Sequence, residues 1–235
     1  EAFRAIRTNL QYVDVDNPPK VIAVTSAIPG EGKTTTSINL AITMAQAGRR
    51  VILVETDLRR PKASSYLGVE SELGLTDVLA GRATLVDAVL PWGRGLMTFL
   101  PAGHTPPNPS ELLASHQFAQ VLDVLRGQYD YVVIDSAPLL PVTDGAIVSK
   151  AADGAFIVVR FGKTTRDQLA TAIAALDQIG ARVLGTALNF VPTGRRGYGY
   201  KYGYKYGYRY GYGYGYGASE YKTQGIHAND GAASE

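Results

Sequence analysis

The chain reads VIAVTSAIPGEGKTTTSINLA over residues 21–41. In this stretch an apolar, β-branched run at residues 21–25 precedes a loop with two glycines, and residues 34–47 then show helical spacing. Gly30 and Gly32 allow backbone amides to turn inward around a phosphate group because neither residue has a Cβ. The positive end of the following helix faces the same point. The pattern therefore predicts a nucleotide-phosphate-binding loop rather than an ordinary glycine-rich turn.

This loop offers several groups for nucleotide contact. Lys33 supplies a point charge for the β- and γ-phosphate oxygens, and the Thr34 hydroxyl is a hard oxygen ligand suited to Mg²⁺. The expected cofactors are therefore ATP, its product ADP, and Mg²⁺. The residues predicted to bind nucleotide are Pro29, Gly30, Glu31, Gly32, Lys33, Thr34 and Thr35.

Apolar runs alternate with helical stretches along the first 194 residues. The runs cover residues 21–25, 51–54, 97–100, 131–134, 155–159 and 183–188, and the helical stretches cover residues 34–47, 110–126, 145–151 and 166–179. Continuous apolar strands that alternate with helices favour an α/β fold, with a mainly parallel sheet flanked by helices, as in the P-loop NTPases. About 195 residues is the usual size of one domain.

Carboxylates follow two other predicted strands. Residues 51–54 lead into Glu55 and Asp57, and residues 131–134 lead into Asp135. Ligands in such sheets bind at the carboxyl ends of the strands, where Lys33 also lies. Two-residue spacing predicts that Glu55 and Asp57 lie on the same side of the strand, so that one orients and the other accepts a proton from an attacking hydroxyl. With Thr34, we predict that Asp57 and Asp135 bind the metal.

The composition changes after residue 194. Residues 195–217 read RRGYGYKYGYKYGYRYGYGYGYG and contain no aliphatic side chain. Such a segment cannot form a core and is costly to order, so we expect residues 195–235 to be a disordered, flexible tail. Residues 195–222 hold six basic and one acidic side chain, whereas residues 1–194 hold 17 basic and 18 acidic ones.

The tail supplies many phenol hydroxyls to a chain that also carries a phosphate-binding loop. This combination suggests a tyrosine kinase that phosphorylates its own tail. The candidate phosphoacceptors are Tyr198, Tyr200, Tyr202, Tyr204, Tyr206, Tyr208, Tyr210, Tyr212, Tyr214, Tyr216 and Tyr221.

Some classes of site are excluded by composition. The chain has no cysteine, so neither a disulfide framework nor a thiolate zinc site is possible. No apolar run approaches the roughly 18 residues that would span a bilayer. The sequence begins at Glu1 in a helical pattern and without methionine, from which we expect a fragment of a longer protein with a membrane segment upstream.

Four segments together resemble the cytoplasmic domain of bacterial tyrosine kinases, the autokinases of capsule and exopolysaccharide export. They are SAIPGEGKTTTSINLA at residues 26–41, VILVETDLRRP at 51–61, LPAGHTPPNPSELL at 100–113 and YDYVVIDSAP at 129–138. The resemblance covers nearly the whole chain, including the tyrosine-cluster tail. It implies a kinase domain at residues 1–194 and an autophosphorylation tail at residues 195–235, with a fold shared with the MinD and ParA-like ATPases.

The same resemblance assigns individual residues. Lys33, Thr34, Asp57 and Asp135 match the three Walker motifs of the family, and Asn189 falls where relatives contact the adenine base. The family's first acid after the second strand is commonly aspartate, and Glu55 here is one methylene longer.

The N-terminal sequence EAFRAIR fits the ExxRxxR element of that family. By resemblance, Glu1, Arg4 and Arg7 lie at the interface of a ring-shaped homo-oligomer, with residues 1–16 as the oligomerisation helix. A ring would bring a neighbour's tail to the active site, so transfer is expected between subunits. From spacing alone, a solvated charged helix face is the alternative.

The resemblance also implies partners and a location. The partners are a transmembrane activator segment or a fused polysaccharide co-polymerase domain, together with a cognate phosphotyrosine phosphatase. The expected location is the cytoplasmic face of the bacterial inner membrane, where the kinase would regulate polysaccharide polymerisation and export.

The alternative function is a MinD- or ParA-like ATPase switch whose basic aromatic tail binds nucleic acid or membrane. Two features count against it, namely the near-neutral body and Ile28, which stands where those ATPases usually carry a signature lysine. We therefore expect no nucleic-acid partner. A purely adhesive tyrosine–glycine tail would leave the phosphate loop unexplained.

Overall fold

The computed structural model describes residues 1–192. The predicted tail and its candidate phosphoacceptors lie outside the described residues. Seven strands form one sheet in the order β3-β4-β2-β5-β1-β6-β7, and every neighbouring pair is parallel except β3 with β4. The strands are β1 (Val21–Ser26), β2 (Val51–Glu55), β3 (Leu90–Trp92), β4 (Met97–Leu100), β5 (Tyr131–Asp135), β6 (Gly154–Arg160) and β7 (Val183–Asn189).

Helices connect most of these strands and cover the sheet. Within residues 1–192 they are α1 (Ala2–Gln11), α2 (Lys33–Ala45), α3 (Ala63–Leu67), α4 (Leu75–Leu79), α5 (Leu85–Ala88), α6 (Pro109–Leu113), α7 (His116–Gln128), α8 (Asp144–Ala151) and α9 (Arg166–Gln178). Each helix within residues 1–192 is too short or too polar to span a bilayer.

The predicted fold class is confirmed, and all six predicted strands are present. The strand β3 was not predicted, since it has only three residues and contains Pro91. The single helix predicted at residues 110–126 is two helices, because the Ser115 hydroxyl accepts a hydrogen bond from the Phe118 amide and begins α7 as its cap. The helices α3, α4 and α5 are too short to produce a periodic pattern.

The apolar core lies on both faces of the sheet. In β1, Ile22 and Val24 pack in the cluster that contains Leu40 and Met44 of α2. Their neighbours Val21 and Ala23 point to the opposite cluster, formed with side chains of α7. Because both faces of the central strands are buried, their sequences are continuous apolar runs rather than alternating ones.

The amino edge of the sheet, where the parallel strands begin, is closed by ion pairs and hydrogen bonds. The Asp153 carboxylate accepts hydrogen bonds from the amides of Lys20 and Val21, both at 2.8 Å, and from Arg126 Nη1 at 2.7 Å. Asp130 accepts bonds from the amide and the guanidinium of Arg50. Burial raises the pKa of Asp153, but these donors outweigh it and hold the pKa below its ordinary value.

Candidate active site

The phosphate loop lies between β1 and α2 at the carboxyl edge of the sheet. Gly30 and Gly32 have φ of 79° and 90°, in the left-handed region that glycine adopts without strain. A Cβ at Gly32 would lie 2.3 Å from Asn189 Nδ2, so a side chain there would add a displacement of Asn189 to the backbone strain of the positive φ. The loop has the conformation and position that the sequence predicts.

The carboxylate of Glu31 supports the loop from within the protein. Glu31 is fully buried, and it accepts hydrogen bonds from the Ile28 amide at 2.7 Å, the Arg160 amide at 3.2 Å and the Thr164 hydroxyl. These bonds tie the loop to the end of β6. Glu31 therefore offers a ligand only its backbone, while its side chain keeps the loop in shape.

Lys33 and Asp57 form an ion pair in the cleft beside the loop. Lys33 Nζ lies 2.9 Å from Asp57 Oδ2, and the side chains are 13% and 8% exposed. The other oxygen, Asp57 Oδ1, accepts a hydrogen bond from the Arg60 amide at 3.1 Å. The two residues predicted to act on the phosphoryl group and on the phenol are thus in direct contact.

Asp135 is the last residue of β5 and lies behind the start of α2. Its Oδ1 accepts a hydrogen bond from the Ser37 hydroxyl at 3.0 Å, and its Oδ2 is buried without a partner in the described residues. Burial raises the pKa of Asp135 to about 6, against the opposing effects of Lys33 and of the Thr34 and Ser37 hydroxyls. A buried carboxylate oxygen with no donor is a group that a cation would satisfy.

This arrangement fits Mg²⁺. The ion binds through one or two protein oxygens and completes its shell with phosphate and water oxygens. Asp135 and Thr34 supply such oxygens beside the loop, and Asp57 lines the same cleft as Thr34. Within residues 1–192, no cluster of three or more acidic or histidine side chains could hold a metal alone. The donor set therefore suits a metal that arrives with a nucleotide.

Glu55 has a different environment from the one predicted. The strand β2 ends at Glu55, so its two-residue alternation does not extend to Asp57. The Glu55 carboxylate is fully buried and accepts hydrogen bonds from the Ala63 amide at 2.6 Å and the Ser64 hydroxyl at 2.9 Å. Glu55 holds the start of α3, whereas Asp57 pairs with Lys33. The Glu55 carboxylate is nevertheless near enough to Asp135 to contribute to the raised pKa of Asp135.

A cleft of about 390 Å³ adjoins the loop and extends away from it. Besides the loop and Asp57, it is lined by a set of apolar or aromatic side chains and a set of cations that the sequence analysis did not single out. The first set is Tyr66, Ala137, Pro138, Pro141 and Val142, and the second is Arg59, Arg60 and Lys62. Only the position of Arg59 and Arg60 two and three residues after Asp57 could have indicated the cationic set.

Arg59 is fixed in this cleft by a partner far away in sequence. Its Nε donates to Asp144 Oδ2 at 2.7 Å, and its Nη2 donates to Asp144 Oδ1 at 3.2 Å and to Ser110 Oγ at 3.1 Å. Asp144 is 1% exposed, so the guanidinium is anchored on a rigid base at the start of α8.

Asn189 lies against the loop at the end of β7. Its Nδ2 donates to the Glu31 carbonyl at 3.3 Å. The next residue, Phe190, is half exposed with φ of 58°, and the Arg160 guanidinium lies 4.4 Å from the centre of its ring. The residue predicted to meet the adenine base is therefore beside the loop.

The predicted interface residues lie on or near α1. Glu1 and Arg4 form an exposed ion pair at 2.7 Å, with exposures of 88% and 64%. Arg7 instead turns toward α2, where its Nη1 donates to the Thr43 carbonyl at 3.2 Å. Glu1 and Arg4 remain open to a partner, while Arg7 binds within its own chain.

Comparison with known proteins shows which proteins this chain is similar to. Residues 19–187 match the family described as an AAA domain. The Bacillus subtilis (strain 168) tyrosine-protein kinase YwqD is 39% identical over 189 residues, which cover 80% of this chain and 80% of YwqD. The tyrosine-protein kinase etk of Escherichia coli K12 is 35% identical over 81% of this chain and 26% of its own length.

Solved structures agree with these sequence matches. The kinase domain of Escherichia coli tyrosine kinase ETK superposes with a TM-score of 0.77 and 31% identity, over 90% of this chain and 79% of that domain. MinD of Pyrococcus horikoshii, solved with Mg-ADP, has a TM-score of 0.63 and 28% identity, over 72% of this chain and 69% of MinD. The relation to both groups that the four sequence segments implied is confirmed.

Proposed function

The chain belongs to the bacterial tyrosine-protein kinases, and we propose that it transfers the γ-phosphoryl group of ATP to the tyrosines of its own C-terminal tail. The observation that supports this proposal is the Lys33–Asp57 pair, which joins the phosphate loop to a cleft with room for an aromatic side chain. Relatives over most of this chain are named tyrosine-protein kinases.

The loop and the buried acid would hold the nucleotide. The amides between Gly30 and Thr34 would bind the phosphates. By family resemblance, Asn189 would contact the adenine base. Thr34 and Asp135 would hold Mg²⁺, with Asp57 nearby, and the metal would supply neutralisation of the charge on the β- and γ-phosphates. Lys33 binds the transferring phosphoryl group and stabilises the charge spread over its oxygens.

Asp57 acts on the acceptor. Its carboxylate is positioned by the Arg60 amide and by Lys33, and it accepts the hydrogen bond of the incoming phenol. A phenol has a pKa of about 10, so positioning matters more than basicity at neutral pH. Tyr66, Pro138, Pro141 and Val142 form an apolar wall on which the tyrosine ring can pack.

The transfer occurs between subunits of a ring-shaped homo-oligomer. Support comes from α1, where Glu1 and Arg4 are exposed and pair only with each other among the described residues. By family resemblance, the tail leaves the body after residue 194 and enters a neighbour's cleft. The same resemblance assigns the ring to the cytoplasmic face of the inner membrane, where a transmembrane activator or fused co-polymerase domain stimulates it and a phosphatase reverses it. There it regulates polysaccharide polymerisation and export.

Intact mass measured after incubation with ATP and Mg²⁺ tests the activity. We expect additions in steps of one phosphate, and peptide mapping should place them within residues 195–222. Nucleotide hydrolysis without any mass increase would replace the kinase with an ATPase switch for this chain.

A mixing experiment tests the route. Lys33→Met chains with intact tails are incubated with active chains truncated after Arg196, so that only transfer between chains can label a tail. Labelled Lys33→Met tails are expected. An unlabelled mixture, with the full-length wild type labelled in parallel, would contradict transfer between subunits and leave the kinase activity standing.

A further inference from the structure

Three side chains from outside the phosphate loop bind its carbonyl groups. The carbonyls of residues 29, 30 and 31 follow one another in the loop, and each accepts a hydrogen bond from a different side chain. The donors, in the same order, are Lys163 Nζ at 3.1 Å, Arg160 Nη1 at 3.0 Å and Asn189 Nδ2 at 3.3 Å. The end of β6, the connection that follows it and the end of β7 therefore hold the outer side of the loop.

These bonds set the direction of the loop amides. A trans peptide group is planar, and its N–H points away from its C=O. Because the carbonyls of residues 29–31 face the three side chains, the amides of Gly30, Glu31 and Gly32 face the opposite side. Those amides donate to no other group among the described residues, so they are available to phosphate oxygens.

Arg160 reaches the loop from a restrained position. Its own amide donates to Glu31 Oε1 at 3.2 Å, and the Thr164 hydroxyl donates to the same carboxylate. The guanidinium is half-buried and lies 4.4 Å from the centre of the Phe190 ring. Backbone and side chain of Arg160 thus both contact the loop or its neighbour, so the contact with the Gly30 carbonyl is part of a built arrangement.

The charge of Arg160 and Lys163 adds to this geometric effect. A hydrogen bond from a cation to a carbonyl polarises the peptide group, which strengthens the N–H on its other side as a donor. Neither cation forms an ion pair within residues 1–192. The Glu31 carboxylate binds the amide of Arg160 rather than its guanidinium, so both cations keep the loop carbonyls as their hydrogen-bond partners.

We propose that Arg160 and Lys163 are positioning residues of the phosphate loop, which hold the amides of Gly30 and Glu31 toward the β-phosphate of the nucleotide and strengthen them as donors. This inference rests on the proposed function, in which the loop binds ATP and its product ADP. AMP has no β-phosphate for these amides to bind. The two cations therefore contribute to a preference for ADP over AMP, although neither of them contacts the nucleotide.

Binding of ADP and AMP tests the proposal without any phosphoryl transfer. Calorimetric titration of the full-length chain in Mg²⁺ gives a Kd for each nucleotide, and the ratio of the AMP value to the ADP value measures the preference. Arg160→Gln with Lys163→Met should raise the Kd of ADP about tenfold and change that of AMP less than about twofold. The preference should fall accordingly.

Matched variants separate this effect from a general loss of charge. Arg49→Gln with Lys150→Met removes two positive charges at the amino edge, where Lys150 Nζ also donates to a carbonyl, and should keep both Kd values. Lys163 is exposed, so Lys163→Met should fold even if the double variant does not. Alone it should lower the preference about threefold, and Lys163→Arg, which keeps the charge and the donor, should retain the wild-type preference.

Two results would overturn the proposal. One is an unchanged preference in the variants that lose the charge. The other is an equal loss of ADP and AMP affinity, which would show that the two cations act on the base or on the fold rather than on the amides that meet the β-phosphate.

Failure of this proposal is separable from failure of the kinase assignment, because binding is measured without transfer. A preference that depends on Arg160 and Lys163, in a chain that labels no tail, would support the positioning role and remove the kinase activity. A labelled tail, with the same preference in the wild type and in the double variant, would leave the kinase and remove the positioning role.

Discussion

The two edges of the sheet use the same kinds of side chain in opposite ways. At the amino edge, Asp153 accepts hydrogen bonds from Lys20, Val21 and Arg126, and every oxygen of its carboxylate is engaged. At the carboxyl edge, Asp135 is more deeply buried, yet its Oδ2 has no partner in the described chain. The carboxylate that closes the amino edge has hydrogen-bond donors for both oxygens, whereas the carboxylate at the carboxyl edge keeps one oxygen without a donor, as a ligand-binding group requires.

This contrast separates stability from chemistry. A satisfied acid contributes its hydrogen bonds to the folded state, and its loss should lower the free energy of unfolding. An acid or lysine at the cleft instead stabilises the transition state when nucleotide and acceptor are bound. Its loss should therefore lower the phosphorylation rate rather than the free energy of unfolding. This division is tested by making the same kind of substitution at the carboxyl edge and at the amino edge.

The largest effect is expected from Lys33→Met. A neutral side chain cannot stabilise charge on the transferring oxygens, so tail phosphorylation should fall at least about 1000-fold. Lys150→Met is the control, since Lys150 Nζ donates only to the Gly180 carbonyl near the amino edge. Intact mass over time measures both. Wild-type labelling by Lys33→Met would show that the predicted loop is not catalytic.

Gly32→Ala should lower the phosphorylation rate about 100-fold, because the new Cβ would meet Asn189 Nδ2 at 2.3 Å and displace the loop from the phosphates. Nucleotide affinity should fall as well, and equilibrium titration with ADP and Mg²⁺ measures it. Unchanged affinity and rate would mean that Asn189 moves away freely and that its contact with the loop is incidental.

Asp153→Asn should reduce the free energy of unfolding by about 2 kcal/mol, since the amide cannot satisfy the two backbone donors and Arg126 together. Urea unfolding measures the change. Phosphorylation rates well below the melting temperature should match those of the wild type. If Asp153→Asn lowered the phosphorylation rate but left the free energy of unfolding unchanged, the amino edge would have a role in activity, and the proposed division between the two edges would be wrong.

The same residue gives a pH dependence with a defined sign. The pKa of Asp153 is lowered in the folded chain, so its contribution is complete above about pH 5 and is lost as the pH falls below about 4. The stability difference between wild type and Asp153→Asn should therefore narrow on acidification. A difference that widened as the pH fell would contradict the lowered pKa.

The smallest effect is expected from Gly48→Ala, near the amino edge. Gly48 has φ of +78°, similar to that of Gly32, but an added Cβ would meet no atom within 4 Å. Only backbone strain of about 1 kcal/mol should appear in urea unfolding, with no change in rate. An activity loss as large as that of Gly32→Ala would contradict the division of roles between the two edges.

The sequence predicted the parts of the molecule that depend on local pattern. Strands buried on both faces produce continuous apolar runs, and the loop requires glycines at fixed spacing before Lys33. Asp57 and Asp135 follow strands whose carboxyl ends must meet, so their closeness to the loop could be predicted. Their roles, like those of the other site residues, stay predictions until the variants are measured.

Other features depend on contacts that no local pattern contains. Arg59 meets Asp144 across 85 residues of sequence, and neither residue shows this on its own. Glu55 accepts hydrogen bonds from the Ala63 amide and the Ser64 hydroxyl of α3. The strand β2 ends at Glu55, and a rule of strand alternation cannot predict where a strand ends. Tyr66 lies in a five-residue helix, too short for any periodicity.

The strand β3 has a consequence for how copies of the chain can associate. It is the outer strand on one side of the sheet, and its middle residue, Pro91, has no N–H to donate outward. An added strand would find three residues and a missing donor, so β-strand addition at this side is blocked. Edge-to-edge pairing of copies through this strand is therefore disfavoured.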